Sequence, residues 1–268
     1  MALYLQTEYK FRKFKNYKFS LLLIIKLFKM KKIILLVAFT LFTISINAQT
    51  TDMFFEQANE FFLKNVSPEG KVDYAKLKKS PGELLYILSN VEKLKTQFDN
   101  KETAKAFWIN IYNLQVIKGV LDNYPLKSVN DVPAFFKENN FLVGGQELTL
   151  DDVENTILRE IFVDPGIHFV LTSAALGGAP LMNTAYMPES VNDQIKQRTT
   201  LIINSKDFLK IYKSTNSIEL PKIFEWYKKD FVTGYFNELD FVNIFLEKKV
   251  DPKMKIMTYS FDWTLNQK

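Results

Sequence analysis

Apolar residues recur at helical spacing over most of the chain beyond residue 50. The stripes predict amphipathic helices over residues 53–64, 83–98, 149–161, 188–203, 219–231 and 239–249. Residues 103–121 differ, because apolar side chains cover almost every face of the helix predicted there. A helix of this kind is normally buried, so we expect it at the centre of the fold.

Shorter apolar runs beside glycines and small residues predict strands. Residues 141–148 indicate two short strands around Gly144-Gly145, and the alternating tail 255–266 indicates a terminal strand. The run Phe169-Val170-Leu171 predicts a buried strand that ends in a tight loop near Gly177. Because no internal repeat or linker interrupts it, the segment 49–268 is predicted to be a single compact α+β domain, rich in helix, with a small mixed or antiparallel sheet.

The start of the helix at Thr149 carries a specific signal. Thr149 and Asp152 stand three residues apart, as in a capping box. Asp151, Asp152 and Glu154 could instead be taken for a metal-binding cluster, but acidic residues are favoured in the first turn of any helix. We therefore predict a helix cap here and no metal site.

The first 48 residues have the pattern of a cleaved export signal. Met30-Lys31-Lys32 precedes an apolar run of about 14 residues, 33–46, and Ala48 is a small residue at the expected cleavage point. Roughly 20 apolar residues are needed to span a bilayer, although an N-terminal membrane anchor is the alternative. Residues 1–29 are interpreted as an upstream extension, with Met30 as the true start. We predict an exported protein, periplasmic or secreted, with no membrane insertion after cleavage.

Charge and composition exclude several classes of function. The formal net charge is +5, but residues 1–48 carry nine basic side chains against one acid, which leaves about −3 on the remainder. The sequence pI of 9.0 is therefore no sign of nucleic-acid binding. Zero cysteines exclude thiolate catalysis, and a single histidine argues against a zinc or copper site. A Ca²⁺ or Mg²⁺ site made of carboxylates alone is still allowed, but no EF-hand spacing occurs. We predict no cofactor, no metal, and an unknown small molecule, peptide or protein as the partner.

Two asparagines interrupt the apolar surface of the predicted central helix. Asn110 and Asn113 lie on adjoining turns of one side, and a buried amide without a hydrogen-bond partner costs about 1 to 3 kcal/mol. One interpretation is that both tie down a neighbouring loop. The other is that they line a pocket or orient His168, the single histidine of the chain.

Several ordered motifs together resemble a known family. They are Phe107 to Asn113, the acidic helix start 150–154 that continues to Arg159, His168-Phe169, Phe224-Glu225-Trp226-Tyr227, Asp230-Phe231 and the tail 261–266. Over roughly residues 70–266 the chain is similar to the family catalogued as domain of unknown function 547, found in exported bacterial proteins and in plants. The resemblance implies no particular reaction, because the family has no settled activity.

The loop after the histidine departs from that family's pattern. Family members usually carry Cys-Ala-Ala-x-Gly-Cys-Pro-Pro, whereas here the run from Ser173 to Pro180 holds no cysteine, and the second cysteine position falls at Gly178 or Ala179. If relatives use a thiolate near the histidine and an asparagine, as papain-like enzymes do, this chain lacks the nucleophile. A papain-like arrangement is accordingly the alternative within the α+β class.

Two of our three hypotheses involve no catalysis. In the first, the chain is a binding or interaction domain that keeps a polar pocket, with Asn113, Glu154 and Arg159 contacting the ligand. We expect Glu154 and Arg159 to pair with each other or to contact a polar ligand. In another, the chain is a structural, envelope-associated protein.

The remaining hypothesis is a hydrolase or acyl transferase. Ser173 would be the nucleophile, His168 the general base and Asn110 the orienting group. On an unbroken strand His168 and Ser173 would point to opposite faces, so this pair requires a bend before Ser173.

Overall fold

The helices of the computed structural model surround the central helix that the sequence predicts. The structure describes residues 51–206, 208–235 and 237–268, and Thr51–Lys268 form one compact unit. The extension and export signal predicted over residues 1–48 lie outside the described residues. The helices are 51–65 (α1), Tyr74–Lys79 (α2), Gly82–Val91 (α3), Lys101–Asn123 (α4), the π-helix Asp152–Arg159 with its continuation Glu160–Phe162 (α5), Val191–Ile203 (α6), Ile223–Trp226 (α7), Lys228–Val232 (α8) and Glu238–Phe245 (α9).

Two small sheets complete the fold. The strands are Phe141–Val143 (β1), Gln146–Leu148 (β2), Lys210–Tyr212 (β3), Ser217–Pro221 (β4) and Lys255–Tyr259 (β5). β1 and β2 form an antiparallel hairpin, while β4 pairs antiparallel with β3 and parallel with β5. Gly144 and Gly145 have φ angles of 60° and 77°, as a two-residue hairpin turn requires. The predicted class, a helix-rich α+β domain with a small mixed sheet, is confirmed.

α4 has the burial that its sequence predicts. Asn100 caps it by accepting the Thr103 N–H at 2.7 Å. Residues 106–117 are buried without a break over more than three turns, so no face of this part meets solvent. The helix therefore occupies the centre of the fold, and its polar side chains must find partners inside the protein.

The core consists of two hydrophobic clusters. The larger one is built mainly on α1, α3 and α4, and the smaller one on β4, α8 and α9. The 3₁₀ turn Pro165–Phe169 lies at their boundary, because Ile167 belongs to the larger cluster and Phe169 to the smaller. His168, between these two residues, is thereby held where the clusters meet.

The strand predicted at residues 169–171 is wrong. The chain forms the 3₁₀ turn Pro165–Phe169 there, since Asp164 accepts the Gly166 N–H at 2.9 Å and Pro165 restricts φ in the first turn. A short apolar run suits a buried turn as well as a buried strand, so its periodicity could not decide. The chain is consequently bent before Ser173, as a His168 and Ser173 pair requires.

Two further predictions are wrong in type or extent. Residues 219–231 do not form one helix, because β4 occupies the middle of its sheet up to Pro221 and two short helices follow. Ile218 and Leu220 of β4 are fully buried, so sheet packing outweighs the helical pattern. The predicted strand 255–266 is a sheet strand only as far as Tyr259.

The π-helix changes which residues of its segment face the core. Thr149 and Asp152 form the predicted capping box, with N–H···O distances of 2.8 and 3.1 Å. The apolar stripe expected to end at Ile161 is wrong, because Ile161 is 58% exposed while Val153 and Leu158 are fully buried. Backbone hydrogen bonds in a π-helix join residues five apart, which brings Val153 and Leu158 onto one face.

The helices of the described residues are short or only partly apolar. Across 51–206, 208–235 and 237–268 we find none that combines the length and the hydropathy needed to cross a bilayer.

Candidate functional site

A cavity of about 560 Å³ is lined by residues of α4, the π-helix, the loop after His168 and the chain around α7. We call it the aromatic cavity. Phenylalanine, tyrosine and tryptophan side chains in its lining are Tyr112, Phe136, Trp226, Tyr227, Phe261 and Trp263. Its charged or reactive lining comes from Asp151, Glu154, Lys137, His168 and Ser173. The site thus combines flat apolar walls with few polar groups, as ligand sites usually do.

His168 reaches this cavity from the 3₁₀ turn and is held on several sides. Its ring stacks on Tyr227, with centroids 4.1 Å apart and an interplanar angle of 29°, and lies 5.2 Å from the ring of Phe231. Its Nε2 bonds the Asp230 carboxylate at 2.9 Å. The side chain is only 3% exposed. This imidazole is therefore fixed in orientation and nearly removed from bulk water.

Asp230 is the centre of a small ionic network. Arg159 donates from Nε at 2.6 Å and from Nη2 at 3.1 Å to its two oxygens. Burial would raise the pKa of Asp230, but hydrogen bonds from His168 and Arg159 hold it well below its ordinary value. An ionised carboxylate only accepts, so we assign the shared proton to His168 Nε2. In a neutral imidazole, Nδ1 is then the nitrogen that can take up a proton.

Arg159 is fixed by two further contacts. Its Nη1 donates to the Asn155 side chain, and its guanidinium lies 4.7 Å from the centre of the Tyr227 ring. The ion pair that Arg159 makes is thus with Asp230 rather than with Glu154. Arg159 and Asp230 line another opening, next to Lys229, and not the aromatic cavity.

Glu154 presents a carboxylate to the aromatic cavity. It accepts the Tyr112 hydroxyl at 3.0 Å and is also hydrogen-bonded by Tyr227. Burial, followed by the charge of Glu154, raises the pKa of both phenols, so both keep their protons at neutral pH. No lysine or arginine of the described ranges forms an ion pair with Glu154. The wall therefore carries a negative charge that two neutral donors hold in place.

Ser173 lies in the loop that follows the 3₁₀ turn. Asn113 positions the start of this loop, because it donates to the Val170 carbonyl at 3.0 Å and accepts the Thr172 N–H at 2.9 Å. Ala174 then takes a positive φ of 54°, which a residue with a side chain rarely adopts. The Ser173 hydroxyl is buried and makes no hydrogen bond within the described part of the chain. A Cβ at Gly178 would collide with that hydroxyl, so glycine is needed there.

The C-terminal tail secures this loop from the other side. Leu176 N–H donates to Thr264 at 2.8 Å, Gly177 N–H to Asp262 at 2.8 Å, and Asn266 N–H to Ala174 at 3.0 Å. Phe261 and Trp263 of the same tail pack against Trp226 of α7 in the cavity lining, with ring centroids 4.5 to 5.9 Å apart. Residues distant in sequence thus form one wall.

The structure brings some of the proposed site residues together and separates others. Glu154, His168 and Ser173 line the aromatic cavity. Asn113 holds the loop beside it, as the loop-binding interpretation expects. Asn110 does the same elsewhere: its amide donates to the Tyr186 carbonyl at 2.8 Å and accepts the Tyr186 N–H at 2.9 Å. Asp230, and not Asn110, is the group bonded to the imidazole.

Sequence reasoning assigned no role to several residues of the site. Tyr227 and Asp230 on one side, with Trp226 and Trp263 on the other, stood inside motifs quoted for the family resemblance. The available signal was that polar and aromatic residues occur together in those motifs. Within the described ranges, no three acidic or histidine side chains converge closely enough to hold a metal ion.

One comparison with known proteins gives a match. A family model described as "Protein of unknown function, DUF547" matches residues 96–201. This range contains α4, the π-helix, His168 and Ser173, but it ends before Tyr227 and Asp230. Searches of the curated proteins and of the solved structures found no match.

Proposed function

We propose that this chain, whose residues 96–201 match the model of the DUF547 family of unknown function, is a non-catalytic binding domain whose aromatic cavity takes an organic cation. The ligand class is an ammonium or guanidinium group, carried by a small molecule or by a peptide. The observation that carries the proposal is the Glu154 carboxylate, which faces an aromatic-walled cavity and forms no ion pair with a described lysine or arginine.

Electrostatics in the cavity favours a positive group. The faces of aromatic rings attract cations, by about 0.5 to 2 kcal/mol depending on how far the cation is desolvated. A carboxylate in partly dry surroundings adds a charge-assisted hydrogen bond or an ion pair. Asp151 lines the same cavity. The lining therefore has two acidic side chains and one lysine, the exposed Lys137.

Size and access also support a small ligand. A volume of about 560 Å³ falls within the usual range for small-molecule pockets, about 300 to 1,000 Å³. Trp226 lines the cavity and is 46% exposed, so its ring is accessible to a cation in solution. Tyr112 and Tyr227 hold the Glu154 carboxylate in place before a ligand binds, which reduces the conformational entropy that is lost on binding.

Choline tests the requirement for charge, because 3,3-dimethylbutan-1-ol has the same shape without the charge. We expect choline to quench the fluorescence of the cavity tryptophans and to bind at least about tenfold more tightly than the alcohol. Glu154→Gln keeps an acceptor for Tyr112 but removes the charge, and should weaken choline binding at least about tenfold. An acetylated arginine amide is tested in parallel, because it carries the guanidinium group that a peptide ligand would present.

Glu102→Gln is the matched control, since Glu102 is exposed in the first turn of α4. It should bind choline as the parent chain does. The proposal fails if neither cation binds, if the alcohol binds as tightly as choline, or if both glutamine variants behave alike.

A hydrolase or acyl transferase is the second candidate, favoured by the hydrogen bond between His168 and Asp230. Asp230 would orient the imidazole in place of the predicted Asn110, and Nδ1 would be the general base. Ser173 lines the same cavity as His168, although its hydroxyl is not hydrogen-bonded to the imidazole in this structure. Catalytic hydrogen bonds are often long without substrate, so the candidate is retained.

A fluorophosphonate probe tests this second candidate. If Ser173 is an activated nucleophile, the probe should label the folded parent chain, and Ser173→Ala should abolish the labelling. The exposed Ser89 provides the control, because Ser89→Ala should leave the labelling unchanged. A parent chain that resists the probe, or labelling that survives Ser173→Ala, removes the enzyme candidate.

Export remains part of the proposal. It rests on the pattern of residues 30–48, and we place the binding domain in the periplasm or outside the cell on that basis. An envelope-associated structural role stays a prediction without a specific supporting contact.

A further inference from the structure

A second cavity, of about 470 Å³, adjoins the aromatic cavity across Gly178, Ala179 and Ile223, which line both. We call it the arginine cavity. Its apolar lining includes Phe169, Leu176, Leu201, Ile202 and Phe208. Arg198, from α6, supplies a guanidinium to this apolar lining.

The Arg198 guanidinium is unusual because no carboxylate of the described chain pairs with it. Its Nη2 donates to the Pro180 carbonyl, while its Nε–H is buried without a partner. Asp262 also lines the cavity, but its carboxylate is exposed and accepts the Thr264 N–H at 2.9 Å. Burial lowers the pKa of Arg198, and the buried Tyr186 hydroxyl, also without a hydrogen bond, offers only a weak compensation.

Such a charge calls for a counter-ion. Partial burial of a guanidinium removes hydration that one carbonyl cannot replace, which disfavours the state without a ligand. A carboxylate is the best-matched partner, because guanidinium N–H groups bind its two oxygens side by side. The apolar wall at the same time favours a ligand whose remainder is hydrocarbon.

We propose that the arginine cavity is a second ligand site, which binds a carboxylate attached to an apolar chain. The carboxylate bonds Arg198, and the chain lies against Phe169 and Phe208. Leu201 is 63% exposed at the rim of the cavity, so the site opens to solvent on the α6 side. This site is independent of the cation proposed for the aromatic cavity, because different charged groups define the two.

Decanoate is the probe for this site, with titration calorimetry as the measurement. We expect one decanoate to bind per chain, decan-1-ol to bind at least about tenfold more weakly, and acetate not to bind measurably. Arg198→Gln should weaken decanoate binding at least about tenfold, and Arg198→Lys should retain part of it, since lysine keeps the charge but not the paired donors.

Leu201→Glu gives a test that does not disturb the interior. This residue is exposed on α6, so the variant should fold normally, yet a carboxylate at the rim should repel decanoate and weaken its binding severalfold. Glu154→Gln should leave decanoate binding unchanged and affect only choline, which separates this proposal from the first.

Three outcomes overturn the inference. They are a parent chain that does not bind decanoate, equal binding of decanoate and decan-1-ol, and unchanged binding in both Arg198→Gln and Leu201→Glu. Thermal unfolding of each variant shows whether a loss of binding comes from loss of the fold.

Discussion

Replacing Asn110 with alanine is expected to lower the free energy of unfolding by about 3 to 4 kcal/mol. Both amide functions of this fully buried side chain bond the backbone of Tyr186, at 2.8 and 2.9 Å. The variant would leave a buried carbonyl and a buried N–H without partners, and water cannot reach them. Urea unfolding followed by circular dichroism at pH 7 measures the change.

Asn123 is the matched control for this prediction. It lies at the end of the same helix, and its amide donates to the Gly119 carbonyl at 2.9 Å while the side chain is exposed. Asn123→Ala should change the free energy of unfolding by no more than about 0.5 kcal/mol. A stable Asn110→Ala variant would argue against a structural role and return Asn110 to the list of catalytic candidates.

Replacing Asp230 with asparagine is expected to lower the free energy of unfolding by about 2 to 3 kcal/mol at pH 7. Asparagine has nearly the same shape as aspartate, but it has no negative charge to pair with Arg159. Its amide nitrogen also cannot accept a hydrogen bond from Arg159 or His168. Asp230 and Arg159 are 22% and 25% exposed, so solvent screens part of the interaction. For that reason we expect a smaller loss of stability than the roughly 3 to 5 kcal/mol that follows when one partner of a fully buried ion pair is removed.

The pH dependence of this difference has a definite sign. The folded-state pKa of Asp230 lies below its value in the unfolded chain, which is about 3.9. The stabilisation is therefore fully present above about pH 4 and is lost as the pH falls towards the folded pKa. The difference in unfolding free energy between the parent chain and Asp230→Asn should therefore narrow as the pH falls from 5 to 3.

Asp122 provides the comparison for Asp230. It forms an exposed ion pair with Lys118 four residues away on α4, at 2.6 Å. Such pairs contribute about 0.5 kcal/mol or less, so Asp122→Asn should be almost neutral at every pH. If Asp230→Asn were equally neutral, the network around His168 would not contribute to stability as we infer.

The candidate site was only partly predictable. Glu154, His168 and Ser173 were each singled out from the sequence, and they line one cavity because the π-helix and the loop after His168 lie side by side. Arg159 was expected near Glu154 but pairs with Asp230, 71 residues further along the chain. No local pattern reveals such a contact, since it depends on how α8 packs against the π-helix.

The π-helix shows the same limit at a smaller scale. Its sequence has α-helical spacing at Val153 and Ile157, yet Leu158 takes the buried position. The sequence pattern contains the residues that the core uses but not the hydrogen-bond register that selects among them. That register follows from packing against α4, which lies outside the segment.

The amino-acid sequence by itself determined the parts that depend on near neighbours. The apolar central helix, the Gly144-Gly145 hairpin and the cap at Thr149 all follow from local spacing and local backbone preference. Tertiary structure alone decided that Asp230 bonds His168, that Asn110 holds Tyr186, and that Arg198 has no carboxylate partner in the described chain. Charged groups and buried amides pair with groups that are close in space. The order of residues along the chain says little about which distant residues those are.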